Sequence, residues 1–323
     1  MPHFDLSIEE LRSYRPEIAV PADLDAFWQG TLAEARAFGG GPVVTPVEPA
    51  LPGVDVWDVT FPGFGGHPIK AWYSRPAGAS GDLPVIVQFQ GYNGGRGLAF
   101  EHTFWPAAGY AHLMMDTRGQ GSGWGGGGET SDPAGSGASA AGYMTRGILD
   151  PREYYYRRLF TDGVRAVDAA AALPGADAER IIVAGISQGG GVAIAVSALV
   201  PGLAASLIDV PFLCDYRRAL AIVDSDPYAE ITRYLSVHRD HTERVFATLG
   251  YFDGATLAAR ASAPALFSVA LMDDTCPPST VFAAYNAWAG EPKDIAVYPY
   301  NRHEGGGAHQ MARQWDYLRA LLG

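Results

Sequence analysis

Apolar residues along this chain form short runs at first, then runs that alternate with longer helical patterns. "VDVWDVTF" (54–61), "IKAWYSR" (69–75), "PVIVQFQ" (84–90) and "AHLMMD" (111–116) are punctuated by Gly and Pro. The first two read as an antiparallel pair and the next two as buried strands. Further on, a helix is predicted over 152–173, a strand over 180–185, a helix over 188–199 and a strand over 205–210. A strand at 264–272, a helix at 279–289, a strand at 294–300 and a helix at 308–322 complete the series. In that last helix Ala308, Met311, Trp315, Leu318 and Leu322 recur at spacings of three and four, with Ala312 beside them, which predicts the core face. Such alternation implies right-handed crossovers and an α/β fold, a mostly parallel central sheet with helices on both faces.

Two segments stand outside the alternation. Residues 1–52 read as a helical N-terminal arm: "SIEE" (7–10) spells a capping box, and "PADLDAFWQGTLAEARAF" carries Pro at its start and stops at Gly39-Gly40-Gly41. Residues 212–262 contain helical patterns without a strand and read as a helical insertion over the edge where the loops gather. With these two additions the chain, 1–323, is expected to form a single domain. The Gly/Ser-rich stretch 119–142 is expected to be a long surface loop.

Composition narrows the partners. The chain has 48% hydrophobic and 18% charged residues and a formal charge of −12. Lys70 and Lys293 are the only lysines and no basic run occurs, which argues against nucleic acid and anionic membranes. The start "MPHFDLSIEE" lacks the basic and apolar regions of a secretion signal, and no stretch of about 18 apolar residues occurs, so a cytoplasmic location is expected. Cys214 and Cys276 form no C-x-x-C pair and are expected to be free thiols.

The chemistry is spelled first by "GISQG" (185–189), a G-x-S-x-G at the end of a predicted strand and the start of a predicted helix. That is the setting of a nucleophile elbow; the simpler alternative is a serine N-cap with glycines for close packing. A serine hydroxyl needs a base and an orienting carboxylate, which in α/β-hydrolases follow it as acid, then His. "LMDDTCPPST" offers Asp273 and Asp274 after the strand 264–272, with Asp273 favoured as the first residue beyond the strand. Of the eight histidines only His303 and His309 follow; His303 hangs in the loop after "DIAVYPY" and is favoured, while His309 begins the last helix. The oxyanion of a tetrahedral intermediate needs two donors, expected from the backbone N–H groups of Gln188 and, in "QGYNGGRG" (90–97), of Tyr92, whose ring would also wall the substrate pocket. His238 and His241 share a helical face but lack a third metal ligand, so no metal site is expected. Gly121, Gly123 and Gly126 fit G-x-G-x-x-G, yet "GGGGETSDPAGSG" cannot open the helix a dinucleotide site requires.

Together "DTRGQGSGW" (116–124), "GISQGGG" (185–191), "LMDDTCPPSTVFAAYNAW" (271–288) and "RHEGGG" (302–307) resemble the acetylxylan esterase and cephalosporin-C deacetylase family, the seventh family of carbohydrate esterases. The resemblance spans essentially the whole chain. It implies an α/β-hydrolase fold and a serine acetylesterase acting through an acyl-enzyme on small or oligomeric acetylated substrates, such as acetylated xylo-oligosaccharides or cephalosporin C. It places nucleophile, acid and base at Ser187, Asp273 and His303 and oxyanion donors at Tyr92 and Gln188. It makes Arg118, Gly119, Gln120 and Glu304 structural supports of the site, requires no metal or organic cofactor, and implies a homohexamer. Two features depart from the pattern: Gln90 stands where relatives have His, and the 124–141 loop is unusually rich in glycine. A broader short-chain carboxylesterase or a peptidase on the same triad is the alternative activity, and a non-catalytic α/β-hydrolase scaffold the alternative class.

Overall fold

A computed structural model describes residues 4–48, 51–135 and 140–323. Nine strands form one sheet: β1 (Val43–Pro46), β2 (Val54–Pro62), β3 (Pro68–Pro76), β4 (Leu83–Phe89), β5 (Ala111–Met115), β6 (Ala176–Ile186), β7 (Ala205–Asp209), β8 (Ala265–Ala270) and β9 (Lys293–Tyr298). Their spatial order is β1-β2-β3-β5-β4-β6-β7-β8-β9. β1, β2, β3 and β5 pair antiparallel, and every pairing from β5–β4 through β8–β9 is parallel. The sheet is therefore mostly parallel, and the antiparallel pair β2–β3 falls where the runs at 54–61 and 69–75 predict it.

Alternating side chains divide the sheet between two cores. Val85, Val87 and Phe89 of β4 and Ile181 and Val183 of β6 point to one face. That face is covered by α2 (Leu24–Ala37), α4 (Tyr155–Ala170) and α5 (Gln188–Leu199). Ile86, Ile182 and Ala184 point to the other, under Phe104 and Trp105 of the short α3 (Phe104–Ala107) and Leu318 of α11 (Gly307–Leu322). β4 and β6 are apolar on both sides because each side meets a helix.

The arm holds the predicted α1 (Ile8–Ser13), closed by the Ser7–Glu10 capping box, and α2. It also holds β1, an edge strand beside β2 that the reading of residues 1–52 as wholly helical misses; Val43 is 67% exposed, so little apolar patterning marks it. Between β7 and β8 lie α6 (Tyr216–Ile222), α7 (Ala229–Val237), α8 (Thr242–Leu249) and α9 (Gly254–Ala258). α10 (Pro278–Ala287) follows β8 and takes α1 against Val281 and Phe282 through Leu11.

Two expectations need correction. The buried face of α11 is Gln310, Gln314 and Leu318, whereas Ala308, Ala312 and Trp315 are exposed. The helix turns this way because both glutamine amides donate to the Asp209 carboxylate at the end of β7, at 2.9 and 2.6 Å. Burial pushes the Asp209 carboxyl up to about 6. The 119–142 stretch is not simply a surface loop either, although residues 136–139 lie outside the described ones. Gln120, Thr130 and Asp132 are buried, and the Asp116 carboxylate gathers the N–H groups of Arg96, Thr117, Glu129 and Thr130 at 2.7–3.0 Å. No helix opens at Gly121, Gly123 or Gly126, as expected. Among the described residues no helix is long and apolar enough to cross a membrane.

Candidate active site

Ser187 stands between β6 and α5 with φ 57° and ψ −121°, a conformation that costs a non-glycine residue on the order of 1–3 kcal/mol. Its neighbours hold it there. The Ser187 N–H donates to the Asp209 carbonyl at 3.0 Å, and the Ser187 carbonyl accepts from Gly191 at 3.0 Å and Phe212 at 2.9 Å. A Cβ on Gly185 would lie 2.2 Å from the Gly189 backbone, and one on Gly189 would lie 2.2 Å from the Phe89 carbonyl oxygen. Only glycine fits either position, so the motif's outer letters are dictated by how closely strand, turn and helix approach.

Asp273 follows β8 and is wholly buried. Its Oδ1 accepts from the N–H groups of Thr275 and Cys276, both at 2.9 Å, which leaves Oδ2 aimed at His303 Nδ1, also 2.9 Å away. His303 follows β9, and its Nε2 lies 2.9 Å from Ser187 Oγ. The tautomer with its proton on Nδ1 satisfies both contacts: Nδ1–H donates to Asp273, and Nε2 accepts from the serine hydroxyl. The loop is fixed locally, because the Asn301 amide and the Arg302 N–H both donate to the Glu304 carboxylate. The Asn301 bond, before the other contacts, holds the Glu304 carboxyl below its ordinary value. Asp274 instead pairs with Arg302 at 3.4 Å among exposed side chains, and His309 is exposed in the first turn of α11.

The Tyr92 N–H belongs to a peptide restrained on several sides. The Gly91 carbonyl in the same peptide plane accepts from Gly94 at 3.1 Å; the Asn93 N–H donates to Gln120 Oε1 at 2.6 Å; the Tyr92 carbonyl accepts from Trp124 Nε1 at 2.8 Å. Among the described residues neither the Tyr92 nor the Gln188 N–H has a protein acceptor, so both are free to donate to a ligand. The Gln188 side chain links the two halves of the site. Its Oε1 accepts from Gln120 Nε2 at 3.0 Å and Tyr156 hydroxyl at 3.1 Å, and its Nε2 donates to the Gln90 carbonyl at 3.3 Å. Gln90's own amide turns away, to Met114 Sδ at 3.3 Å.

Arg118 anchors this arrangement from below. Its guanidinium pairs with Asp162 through two nitrogens, one at 2.7 Å, and with Asp132 at 3.4 Å, while Arg158 holds Asp132 at 2.7 Å. Two cations and two carboxylates, all buried, offset one another and fasten the 118–120 segment to α4. The Gly119 carbonyl accepts from Tyr143 hydroxyl at 2.7 Å and Gly119 N–H donates to Thr130 at 2.8 Å.

A cavity of about 480 Å³ opens over Ser187 and His303, with Tyr92, Trp124, Ala141, Pro227 and Thr275 in its walls. The tyrosine expected there is present, and Trp124 and Pro227 join it in the walls. A lone large aromatic in a glycine-rich loop was the available signal for Trp124, since Gly94 lacks room for any Cβ against its indole. Asp273, Cys276 and His303 bring ligand-type atoms within 4.8 Å of one another. Burial, then the Asp273 charge, pushes the Cys276 thiol well up, and the His303–Asp273 contact is already filled by a proton. Cys214 and Cys276 are both buried free thiols. His238 and His241 stack at 5.1 Å, with Tyr234 hydroxyl on His241 Nδ1 at 2.6 Å.

A family model described as acetyl xylan esterase (AXE1) matches residues 1–321. The solved acetyl xylan esterase from Paenibacillus sp. R4 is 38% identical, with a TM-score of 0.91 over 98% of this chain and 100% of that one. Acetyl xylan esterase 1 from Thermoanaerobacterium sp. JW/SL YS485 is 34% identical, with a TM-score of 0.89 over 99% and 100%. Acetyl esterase Axe7A of Xylanibacter ruminicola is 27% identical over 309 residues; the match takes in 90% of this chain and spans 65% of that protein's length.

Proposed function

The chain belongs to the acetyl xylan esterase family, carboxylic ester hydrolases on an α/β-hydrolase fold, and from that premise we propose that it is a serine acetylesterase using Ser187, His303 and Asp273. The observation that carries the reading is the continuous line from Asp273 through His303 to Ser187, with both links at 2.9 Å. Ser187 Oγ attacks the carbonyl carbon of an acetyl ester while His303 Nε2 takes its proton. The carbonyl oxygen becomes an oxyanion that receives the N–H groups of Tyr92 and Gln188, each worth on the order of 3 kcal/mol in the barrier. His303 then gives its proton to the departing alcohol, leaving acetyl-Ser187. Water, deprotonated by His303, attacks the acetyl carbonyl; the bond to Ser187 Oγ breaks, His303 returns the proton to Oγ, and acetate leaves. Asp273 keeps the proton on Nδ1 throughout, so that Nε2 stays available. Arg118, Gly119, Gln120 and Glu304 hold the two loops and touch no substrate.

Acetylated xylo-oligosaccharides and cephalosporin C are the proposed substrates, supported by kinship and by a cavity of about 480 Å³. Homohexameric assembly and a cytoplasmic location belong to the same proposal; a light-scattering mass of one chain would refute the first, and recovery outside the cytoplasmic fraction the second. The activity is tested with p-nitrophenyl acetate, butyrate and octanoate, an aminoacyl anilide, and acetylated xylo-oligosaccharides. Acetate esters are expected to be fastest and Ser187→Ala inactive though folded. A Ser187→Ala protein hydrolysing acetate at the wild-type rate would refute the mechanism, and preference for acyl chains beyond four carbons the acetyl assignment.

A further inference from the structure

We infer that Glu230 is a positioning residue for the oxyanion site, acting through the hydroxyl of Tyr92; this rests on the esterase reading above. Glu230 lies on α7, between β7 and β8, and its side chain is buried. Its Oε1 accepts from the Tyr92 hydroxyl at 2.5 Å and from the Gly142 N–H at 2.9 Å, and its Oε2 accepts from the Met144 N–H at 3.0 Å. The Tyr92 hydroxyl in turn accepts from Tyr143 N–H at 3.0 Å and Gly142 N–H at 3.2 Å. Three segments distant in the chain thus meet on one carboxylate: the loop after β4, the turn at 142–145 and α7.

Among the described residues, each group that hydrogen-bonds to this carboxylate is a donor. An ionised acceptor suits such a pocket, because hydrogen bonds to a charged oxygen are roughly twice as strong as neutral ones. A glutamine of the same shape keeps its oxygen on the Tyr92 hydroxyl and the Gly142 N–H and turns its NH₂ against the Met144 N–H alone, so freeing the Tyr92 hydroxyl takes removal of the whole carboxylate. The other restraints on the Tyr92 peptide, from Gly94, Gln120 and Trp124, come from its own loop and from the 118–124 segment. The hydroxyl is the restraint that reaches across to α7. Pro227, a wall of the cavity, lies in the turn that leads into α7, and its carbonyl accepts from the Glu230 N–H at 3.2 Å, so one turn joins the wall to the ring. Slackening this link lets the Tyr92 N–H drift from the oxyanion, and a misplacement of about 1 Å costs on the order of 100-fold in rate.

The test compares wild type, Glu230→Ala, Tyr92→Phe, the double variant and Ser187→Ala on p-nitrophenyl acetate, with thermal unfolding and the affinity of phenylboronic acid, whose tetrahedral serine adduct mimics the oxyanion. Each single variant is expected to lose roughly 10- to 100-fold in kcat with KM within about twofold. Boronate affinity should fall by the same factor as kcat/KM, and the double variant should be no slower than the slower single one. A Glu230 that only staples the 142–145 turn would lower the unfolding temperature of Glu230→Ala, leave kcat and boronate affinity unchanged, and leave Tyr92→Phe fully active. That outcome, or losses that multiply in the double variant, would overturn the inference. The Ser187→Ala arm reads the underlying mechanism separately: loss of its rate supports assignment to this site, and persistence would overturn the esterase reading together with the role given to Glu230.

Discussion

Replacing Asp273 with Asn changes one oxygen to nitrogen, and the surroundings dictate which one. Oδ1 faces two backbone N–H groups, those of Thr275 and Cys276, each at 2.9 Å. The asparagine oxygen must take that place, since the reverse orientation sets its NH₂ against two donors at about 1–3 kcal/mol each. The NH₂ then faces His303 Nδ1, so the imidazole proton moves to Nε2, the atom 2.9 Å from Ser187 Oγ that has to accept. The productive tautomer requires the reversed amide, at about 2–6 kcal/mol, and each 1.36 kcal/mol is tenfold. Asp273→Asn is therefore expected to lose between roughly 30-fold and 10⁴-fold in kcat. Initial rates on p-nitrophenyl acetate, referred to folded protein, measure the loss, and ¹⁵N chemical shifts of the imidazole report the tautomer. A variant that keeps more than about a tenth of the rate, or whose His303 still carries its proton on Nδ1, would refute the reasoning.

Gly189→Ala forces a Cβ to 2.2 Å from the Phe89 carbonyl, backbone against backbone; a loss of about 1–3 kcal/mol in stability and roughly 100-fold in kcat is expected from denaturant titration and steady-state kinetics. Arg118→Ala leaves Asp162 buried and unpaired, and chemical denaturation should register about 3–5 kcal/mol. Asp209, whose carboxyl burial raises to about 6, binds its proton more tightly folded than unfolded. Its contribution to stability is therefore full below pH 3.8 and lost as pH rises through about 6. Unfolding midpoints from pH 4 to 8 should consequently fall less steeply in Asp209→Asn than in wild type, and equal slopes would contradict this.

Much of this geometry is legible in the sequence, for reasons that differ by element. The elbow is readable because strand, serine and helix follow one another in the chain, even though Gly189 also closes on Phe89 of β4 and Ser187 on Asp209 of β7. Asp273 and His303 are readable because a parallel sheet gathers the loops after β6, β8 and β9 at one edge, so order along the chain becomes proximity in space. Glu230 is not readable, since nothing near it in sequence reveals that a tyrosine 138 residues earlier comes to it. The face of α11 misleads for a related reason: Gln310 and Gln314 look solvated until Asp209 supplies a buried partner. β1 escapes because a short edge strand satisfies its backbone against β2 while burying almost nothing.

Among the last four strands, β6, β8 and β9 are each followed, within five residues, by a residue of the proposed triad. β7 is followed by none, and the chain expands there by four α-helices. Evolution can thus lengthen, shorten or rebuild that excursion to suit a different alcohol without dismantling the acyl-transfer apparatus. If Glu230 does hold Tyr92, such remodelling has one fixed tether: every descendant must return a carboxylate, or something that does its work, to the same hydroxyl.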